Sequence, residues 1–224
     1  MNEKRLSSRQ PVQTPGRTII GVDLDNTLVC YDELFHSVAR QEGLIESSAP
    51  RSKEQIRDAI RLLSHGESKW TRLQAIVYGA QMSGATAFEG SENFLRHCFK
   101  LGTKAVIVSH KTHFATLDGK PVDLRASAIA WMKAKKFFDP DGCGLSPDDV
   151  FFESTRLEKI ERIRALGCTH FIDDLTEVFA ESSFPREVTK LLFAPHGVTP
   201  GSTEINVFRT WQDLDEFFFH DERR

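Results

Sequence analysis

Two aspartates one residue apart, Asp23 and Asp25, close an apolar run in "TIIGVDLDNTLVC", and Thr27 follows two positions later. Two further features end in the same way: "KAVIVSH" finishes on Ser109 and His110, and "HFIDD" finishes on the pair Asp173–Asp174. Four carboxylates and a hydroxyl therefore stand at the ends of three apolar runs. Crowded carboxylates repel, and at least one of them binds a proton more tightly unless a cation intervenes. Mg²⁺ suits such a set, because it takes oxygen ligands, keeps several waters and often has a phosphate as partner. A carboxylate can also attack phosphorus to give an aspartyl-phosphate. A second acid nearby can protonate the leaving oxygen and later take a proton from water.

Simpler roles exist for each residue alone. Counting a calcium loop from Asp23 puts Leu28 where an EF-hand needs glycine and Leu34 where it needs a bidentate glutamate, which excludes that reading. Asp174 and Glu177 have capping-box spacing, so Asp174 could begin a helix. Ser109 could cap a turn. The joint pattern is harder to obtain by accident than any one part.

A cation to face phosphoryl oxygens is offered by "ESTRLEKIERIRALG". Thr155 and Glu158 have capping-box spacing, which places Lys159 in the first turns of a helix, beside an apolar stripe of Leu157, Ile160 and Ile163. Its charge opposes the helix dipole there. Arg156 and Arg162 are weaker alternatives, and a surface lysine pairing with Glu158 and Glu161 is the bland one. His110, Lys111 and Thr112 lie next to Ser109 in "SHKTHFATLDGKPVDLR", read as a long loop leaving a strand end. His110 and Lys111 are candidate phosphate contacts, with a solvated Lys111 as the alternative.

These residues need a scaffold that brings strand ends together. Apolar runs at residues 18–22, 104–108, 150–152, 170–172 and 190–193 alternate with helix-period segments at 91–100, 124–135 and 156–166. That alternation predicts an α/β fold, a doubly wound parallel sheet whose ligands sit beyond the carboxyl ends of its strands. Residues 31–87 interrupt the rhythm with helical patterns and no convincing strand, and "SKEQIRDAIRLLSHG" opens on a capping box at Ser52–Gln55. We expect a polar, flexible tail over 1–16, a core made of 17–32 and 88–224, and a small helical insert over 33–87. Lys69, Trp70, Arg72, Gln74 and Tyr78 are candidate lining residues of the insert, against the alternative that Trp70, Leu73 and Val77 form its own core.

The ordered set resembles the four motifs of the haloacid dehalogenase-like (HAD) hydrolase superfamily: "VDLDNT", "VIVS", Lys159 and "FIDD". The resemblance implies a Rossmann-like core in which Asp23 is the nucleophile and Asp25 the general acid/base. It implies that Ser109 and Lys159 hold the phosphoryl group, with Thr27 orienting the loop on the phosphate side. Mg²⁺ would be bound by Asp23, the Asp25 backbone carbonyl and the acids Asp173 and Asp174, the second touching the metal more directly. The insert resembles that superfamily's helical cap, which covers the crevice and selects substrates. The dehalogenating branch needs neither the D-x-D pair nor magnesium, so the acids favour phosphate-ester hydrolysis. Lys159 lies only 14 residues before Asp173, a short interval for that motif. Response-regulator receivers use similar groups in a different order.

Composition narrows the partners. The chain has 224 residues and a formal charge of −3, so no bulk attraction to nucleic acid or membrane is expected. No apolar run is long enough for a transmembrane helix, and the first residues lack the apolar core of a signal peptide. The four cysteines include no C-x-x-C pair and read as free core thiols, consistent with a cytoplasmic protein. The 17 phenylalanines read as core filling, and a Phe-rich C-terminal helix in "LDEFFFH" is expected to dock on the sheet. No P-loop signature occurs. The expectation is a Mg²⁺-dependent phosphatase for a small phosphate ester such as a nucleotide or sugar phosphate. The alternatives are a catalytically marginal binding module and a phosphotransferase to an acceptor other than water.

Overall fold

In the computed structural model, residues 18–49, 51–197 and 204–220 are described, and the expected tail over 1–16 lies outside them. Six parallel strands form the main sheet: β1 (Ile19–Val22), β4 (Lys104–His110), β7 (Val150–Glu153), β8 (His170–Asp173), β9 (Thr189–Phe193) and β10 (Ile205–Phe208). Their spatial order is β10-β9-β8-β1-β4-β7. The chain starts in the middle, steps outward through β4 and β7, then crosses to β8 and steps outward the other way. Strand order thus reverses at β1, and such a reversal opens a crevice beyond the carboxyl ends. Val22 pairs with Ile107 on one side and Ile172 on the other, and Ser109 pairs with Phe152. Asp23, Ser109 and Asp173 therefore leave the sheet at nearly the same level.

Both faces of the sheet are covered, as purely parallel sheets require. Along β4, Ala105 and Ile107 enter one core, while Val106 and Val108 enter the other. The first core holds helices α4 (Ser91–Leu101) and α8 (Trp211–Phe219), with Phe94 against Trp211 at 5.2 Å. The second holds Ile160 and Ile163 of α6 (Arg156–Ala165) and Val178 and Phe179 of α7 (Thr176–Ala180). The C-terminal helix docks as expected. Its Trp211 indole also donates to the Thr27 carbonyl at 3.1 Å, which ties it to the loop of acids. Most phenylalanines are core or packed against it, while Phe99, Phe114 and Phe217 are exposed.

Gly21 of β1 pairs with Phe171 of β8. A Cβ there would lie 2.5 Å from the Phe171 ring and 3.0 Å from the Cys168 sulfur. Phe171 is fully buried and has no room to retreat. Gly21→Ala is therefore expected to cost about 1–3 kcal/mol by overpacking. Urea unfolding followed by tryptophan fluorescence checks this, and an unchanged midpoint would contradict the packing described.

Three elements depart from expectation. The stretch after Ser109 is not a long loop but a hairpin of β5 (Phe114–Leu117) and β6 (Lys120–Asp123). Its turn is Asp118–Gly119, both with positive φ (50° and 77°), the conformation that an Asp-Gly pair supplies to a two-residue hairpin. Strand β10 went unexpected because its alternation is short and lies at the sheet edge. The interval 31–87 holds α1 (Asp32–Gln41), α2 (Lys53–Arg61) and α3 (Gly66–Ala75), then a wide turn at Ile76–Ala80. It closes on a two-residue strand, β3 (Thr86–Ala87), paired antiparallel with β2 (Val29–Cys30). That ladder brings the start and end of the helical segment side by side. Within it, Phe35 stacks on Trp70 at 5.1 Å, and Tyr78 meets Phe35 edge-on at 5.5 Å. Trp70, Leu73 and Val77 are buried, in a cluster continuous with the sheet's first core.

Candidate active site

The acids after β1 are positioned by a tight turn. Leu28 and Val29 both donate backbone N–H to the Leu24 carbonyl, at 3.0 and 2.9 Å, and Asn26 donates to Val29. Asn26 takes a left-handed φ of 61°, which asparagine tolerates better than most residues. The turn sends Asp23 and Asp25 to different partners.

Asp23 meets Lys159. The ammonium lies 2.6 Å from Asp23 Oδ1 and 2.6 Å from Asp173 Oδ2, and the lysine is only 2% exposed. The capping box at Thr155–Glu158 is formed in both directions and sets the start of α6 beyond β7. The helix then runs back beside the sheet and turns at Gly167 into β8. This is how 14 residues suffice between Lys159 and Asp173. The expected stripe is corrected: Ile160 and Ile163 are fully buried, but Leu157 is 55% exposed.

Asp173 has both oxygens engaged, one by Lys159 and the other by the Leu175 backbone N–H at 2.9 Å. Asp174 does not cap a helix; α7 starts at Thr176 behind Leu175, with no side-chain cap. Instead the Thr27 hydroxyl faces Asp174 Oδ1 at 3.4 Å, and Thr27 is fully buried. Carboxylate oxygens of Asp23, Asp173 and Asp174 lie within 4.8 Å of one another. One lysine does not neutralise three acids. Burial, with repulsion from Asp173 and Asp25, pushes the Asp23 carboxyl up to about 7 against the opposing pull of Lys159. Burial, Asp173 and Asp23 likewise hold Asp174 well above the usual carboxylate range. The donor set is all oxygen and over-supplied with negative charge, which fits a hard divalent cation.

The Asp25 side chain lies outside that cluster. Lys111 grips it with contacts of 2.7 and 3.0 Å, and the Tyr31 hydroxyl donates to it at 2.6 Å. Burial opposes ionisation of Asp25, but Lys111 and Tyr31 outweigh it and lower its pKa. Lys111 is 3% exposed and sits 5.0 Å over the Tyr78 ring, so the solvated alternative for it is overturned. His110 is exposed, and its Nε2 lies 3.0 Å from the Ser154 carbonyl. Ser109 is fully buried and its Oγ lacks a hydrogen-bond partner, a condition shared among the described residues with His36 Nε2 alone. A buried hydroxyl without a partner is costly, which makes Ser109 an unsatisfied polar group at the end of β4.

A crevice of about 490 Å³ is walled by Asp23, Asp25, Asp174 and Lys159 below and by Gln74 and Tyr78 of the helical segment above; Ser109 and Asp173, both fully buried, do not line it. Lys69, Trp70 and Arg72 do not line it; Arg72 pairs with Glu42 and Asp118. A larger cavity of about 680 Å³ lies between α4 and α8, away from the acids. Sequence reasoning missed Tyr31, which carried no pattern beyond its place six residues after Asp25. It also missed Lys53, which lines the crevice from α2.

No protein-family model and no curated protein matches the sequence. Solved structures do. A HAD-superfamily hydrolase from Ehrlichia chaffeensis aligns over 91% of this chain and 96% of its own, with a TM-score of 0.54 and 16% identity. A HAD family hydrolase from Deinococcus radiodurans R1, solved with bound phosphate and sodium, covers 93% of this chain and 97% of its own, with a TM-score of 0.54 and 15% identity. A predicted phosphoglycolate phosphatase from Haemophilus somnus covers 90% and 97%, with a TM-score of 0.54 and 12% identity. Dehalogenases also match. The chain therefore has the fold of the haloacid dehalogenase-like hydrolases, the class its motif order resembles. At these identities the likeness is one of fold.

Proposed function

We propose that this protein is a phosphatase that hydrolyses a small phosphorylated metabolite through an aspartyl-phosphate and depends on Mg²⁺. The carrying observation is the division of the acids: Asp23, Asp173 and Asp174 cluster, with one buried lysine bridging the first two, while Asp25 is held apart by Lys111 and Tyr31. A dehalogenase resembling this fold needs no such second acid, and matching folds alone do not distinguish the two activities.

In this reading Asp23 attacks phosphorus as its bond to the leaving oxygen breaks, and Asp25 gives that oxygen a proton. Water then attacks the phosphoryl group and passes a proton to Asp25, and the bond to Asp23 breaks. Asp25 as arranged is ionised, which suits the second half. Carrying a proton for the first half requires its pair with Lys111 to open. Lys159 and the Ser109 hydroxyl hold the transferred oxygens. Magnesium, when bound, would supply positive charge against those oxygens; Asp23, Asp174 and the Asp25 carbonyl would hold it, with Asp173 in support through its bond to Lys159. The helical segment acts as the cap, and its closure would exclude water. No helix among the described residues is long and apolar enough to cross a membrane. All four cysteines are free, which suits the cytoplasmic location this reading includes.

Turnover of p-nitrophenyl phosphate should vanish with EDTA and return with added Mg²⁺. Because Asp23 and Asp174 must lose protons to hold a cation, the rise in Tm on adding Mg²⁺ should be larger at pH 8 than at pH 5. Turnover that ignores EDTA would remove magnesium from the reading. Chloride release from 2-chloropropionate, without phosphate release from any ester, would replace it with dehalogenation.

A further inference from the structure

The cations around the crevice differ in how well they are matched. Lys159 is matched by Asp23 and Asp173, Lys111 by Asp25, and Arg156 by Glu181 at 2.8 Å. Lys53 makes no ion pair with a carboxylate among the described residues. Its ammonium lies 5.6 Å from the Tyr78 ring centre and 6.0 Å from that of Phe35. Its backbone is fixed: Ser52 caps α2, and the Lys53 N–H donates to Asp32 Oδ1 at 3.0 Å. Lys53 remains charged. Burial disfavours the ammonium, but Tyr78 and the fields of Asp174 and Asp25 push it up to about 12.

Position indicates what this charge faces. Among carboxylates the field on Lys53 is stronger from Asp174 than from Asp25. Lys53 lines the crevice from α2 together with Tyr78 of the helical segment, while Asp23, Asp25 and Asp174 line it from the strand ends. It also borders a second cavity of about 550 Å³ that shares Asn26, Lys53 and Asp174 with the first, so the space beyond the phosphoryl site continues past the ammonium. A leaving group reaching into that space meets a cation held by helix geometry and aromatic rings.

We infer that Lys53 binds a second anionic group, a carboxylate or a phosphate, on the leaving-group side, so that the substrate is a phosphate ester of an acid or a bisphosphate rather than of a neutral alcohol. This rests on the phosphatase reading. Two matched pairs test it: 3-phosphoglycerate against glycerol 3-phosphate, and fructose 1,6-bisphosphate against fructose 6-phosphate. The wild-type protein should prefer the doubly anionic member of at least one pair in kcat/KM, and which pair identifies the group. Lys53→Met should cut that preference by about tenfold to a hundredfold, the worth of a hydrogen bond to a charged group, chiefly through KM. Lys53→Arg should restore part of it.

The same loss should be seen in binding. Titration of the preferred ester into Asp23→Asn protein, with and without Lys53→Met, should give a weaker Kd for the double variant. If Lys53→Met slows all four esters equally, Lys53 serves the phosphoryl group and the inference is wrong while the phosphatase reading stands. Turnover with no preference in either pair overturns the inference in the same way. No turnover of any ester by folded, Mg²⁺-supplied protein overturns both.

Discussion

On the proposed mechanism, Asp23→Asn protein should fold, bind phosphate esters and fail to turn them over. The substitution keeps the shape of the side chain and removes the attacking oxygen, so kcat should fall on the order of 10³-fold or more. A loss of this size could also come from unfolding, but the electrostatics of Asp23 separate the two causes. Its carboxyl is raised to about 7 in the folded chain, burial being the largest cause. The unfolded value is about 4. A raised group gives stability that is fully present below the unfolded pKa and is lost as pH rises through the folded one. In metal-free wild-type protein this contribution declines between about pH 4 and pH 7. Asparagine has no proton to lose and escapes that decline. Without metal, Asp23→Asn should therefore match or exceed wild type in Tm at pH 8, and its advantage should shrink toward pH 5. Thermal melts across that range, paired with p-nitrophenyl phosphate assays, measure both effects. A variant that keeps a tenth of the wild-type kcat, or melts far below wild type at pH 8, would contradict the role given to Asp23.

The sheet was legible because parallel strands buried on both faces must be short, continuous apolar runs. The runs ending at Val22, Val108, Phe152, Ile172 and Phe193 all became strands. The acids were legible for a related reason: polar groups following such runs have few structural excuses. Ion pairs across the fold were harder. That Lys159 bridges Asp23 and Asp173 follows from α6 starting above the crevice, which the capping box at Thr155–Glu158 signalled. That Lys111 turns inward to Asp25 depends on β7 and on the helix after the hairpin: its N–H donates to the Glu153 carbonyl at 2.9 Å and its carbonyl accepts from Arg125 at 3.0 Å, which no local spacing signals. Tyr31 and Lys53 depend on how the helical segment lies over the sheet, and no local spacing encodes that placement. Residues positioned by their own element were therefore found, whereas Lys111 was found without its partner Asp25, and Tyr31 and Lys53 were missed.

Lys159→Met should be the most destabilising substitution in the site. The lysine is 2% exposed, and Met keeps much of its length and apolar stem while removing the charge. Removing one partner of a buried ionic cluster costs about 3–5 kcal/mol, because the remaining charges are left unmatched. Here the remainder is Asp23, Asp173 and Asp174, whose oxygens lie within 4.8 Å of one another. The loss should depend on pH in a definite direction. Lys159 itself is held above its ordinary value by Asp173 and Asp23 despite burial, so its contribution is fully present throughout pH 5–8. Without it Asp23 loses its strongest lowering influence, and its carboxyl should rise above 7. The stability tied to the protonated acids is then lost at higher pH than in wild type. Urea denaturation should show the largest gap from wild type at pH 8 and a smaller one at pH 5, where protonation relieves the repulsion. Asp173→Asn added to Lys159→Met should recover stability, with a coupling of roughly 1–3 kcal/mol in a double-mutant cycle. Mg²⁺ should raise the Tm of Lys159→Met protein too, since a divalent ion offsets the same charges, but without returning activity, because the phosphoryl oxygens still lack their ammonium. A Lys159→Met protein within 1 kcal/mol of wild type at pH 8, or a cycle showing no coupling, would mean that the buried lysine is not what holds the acids together.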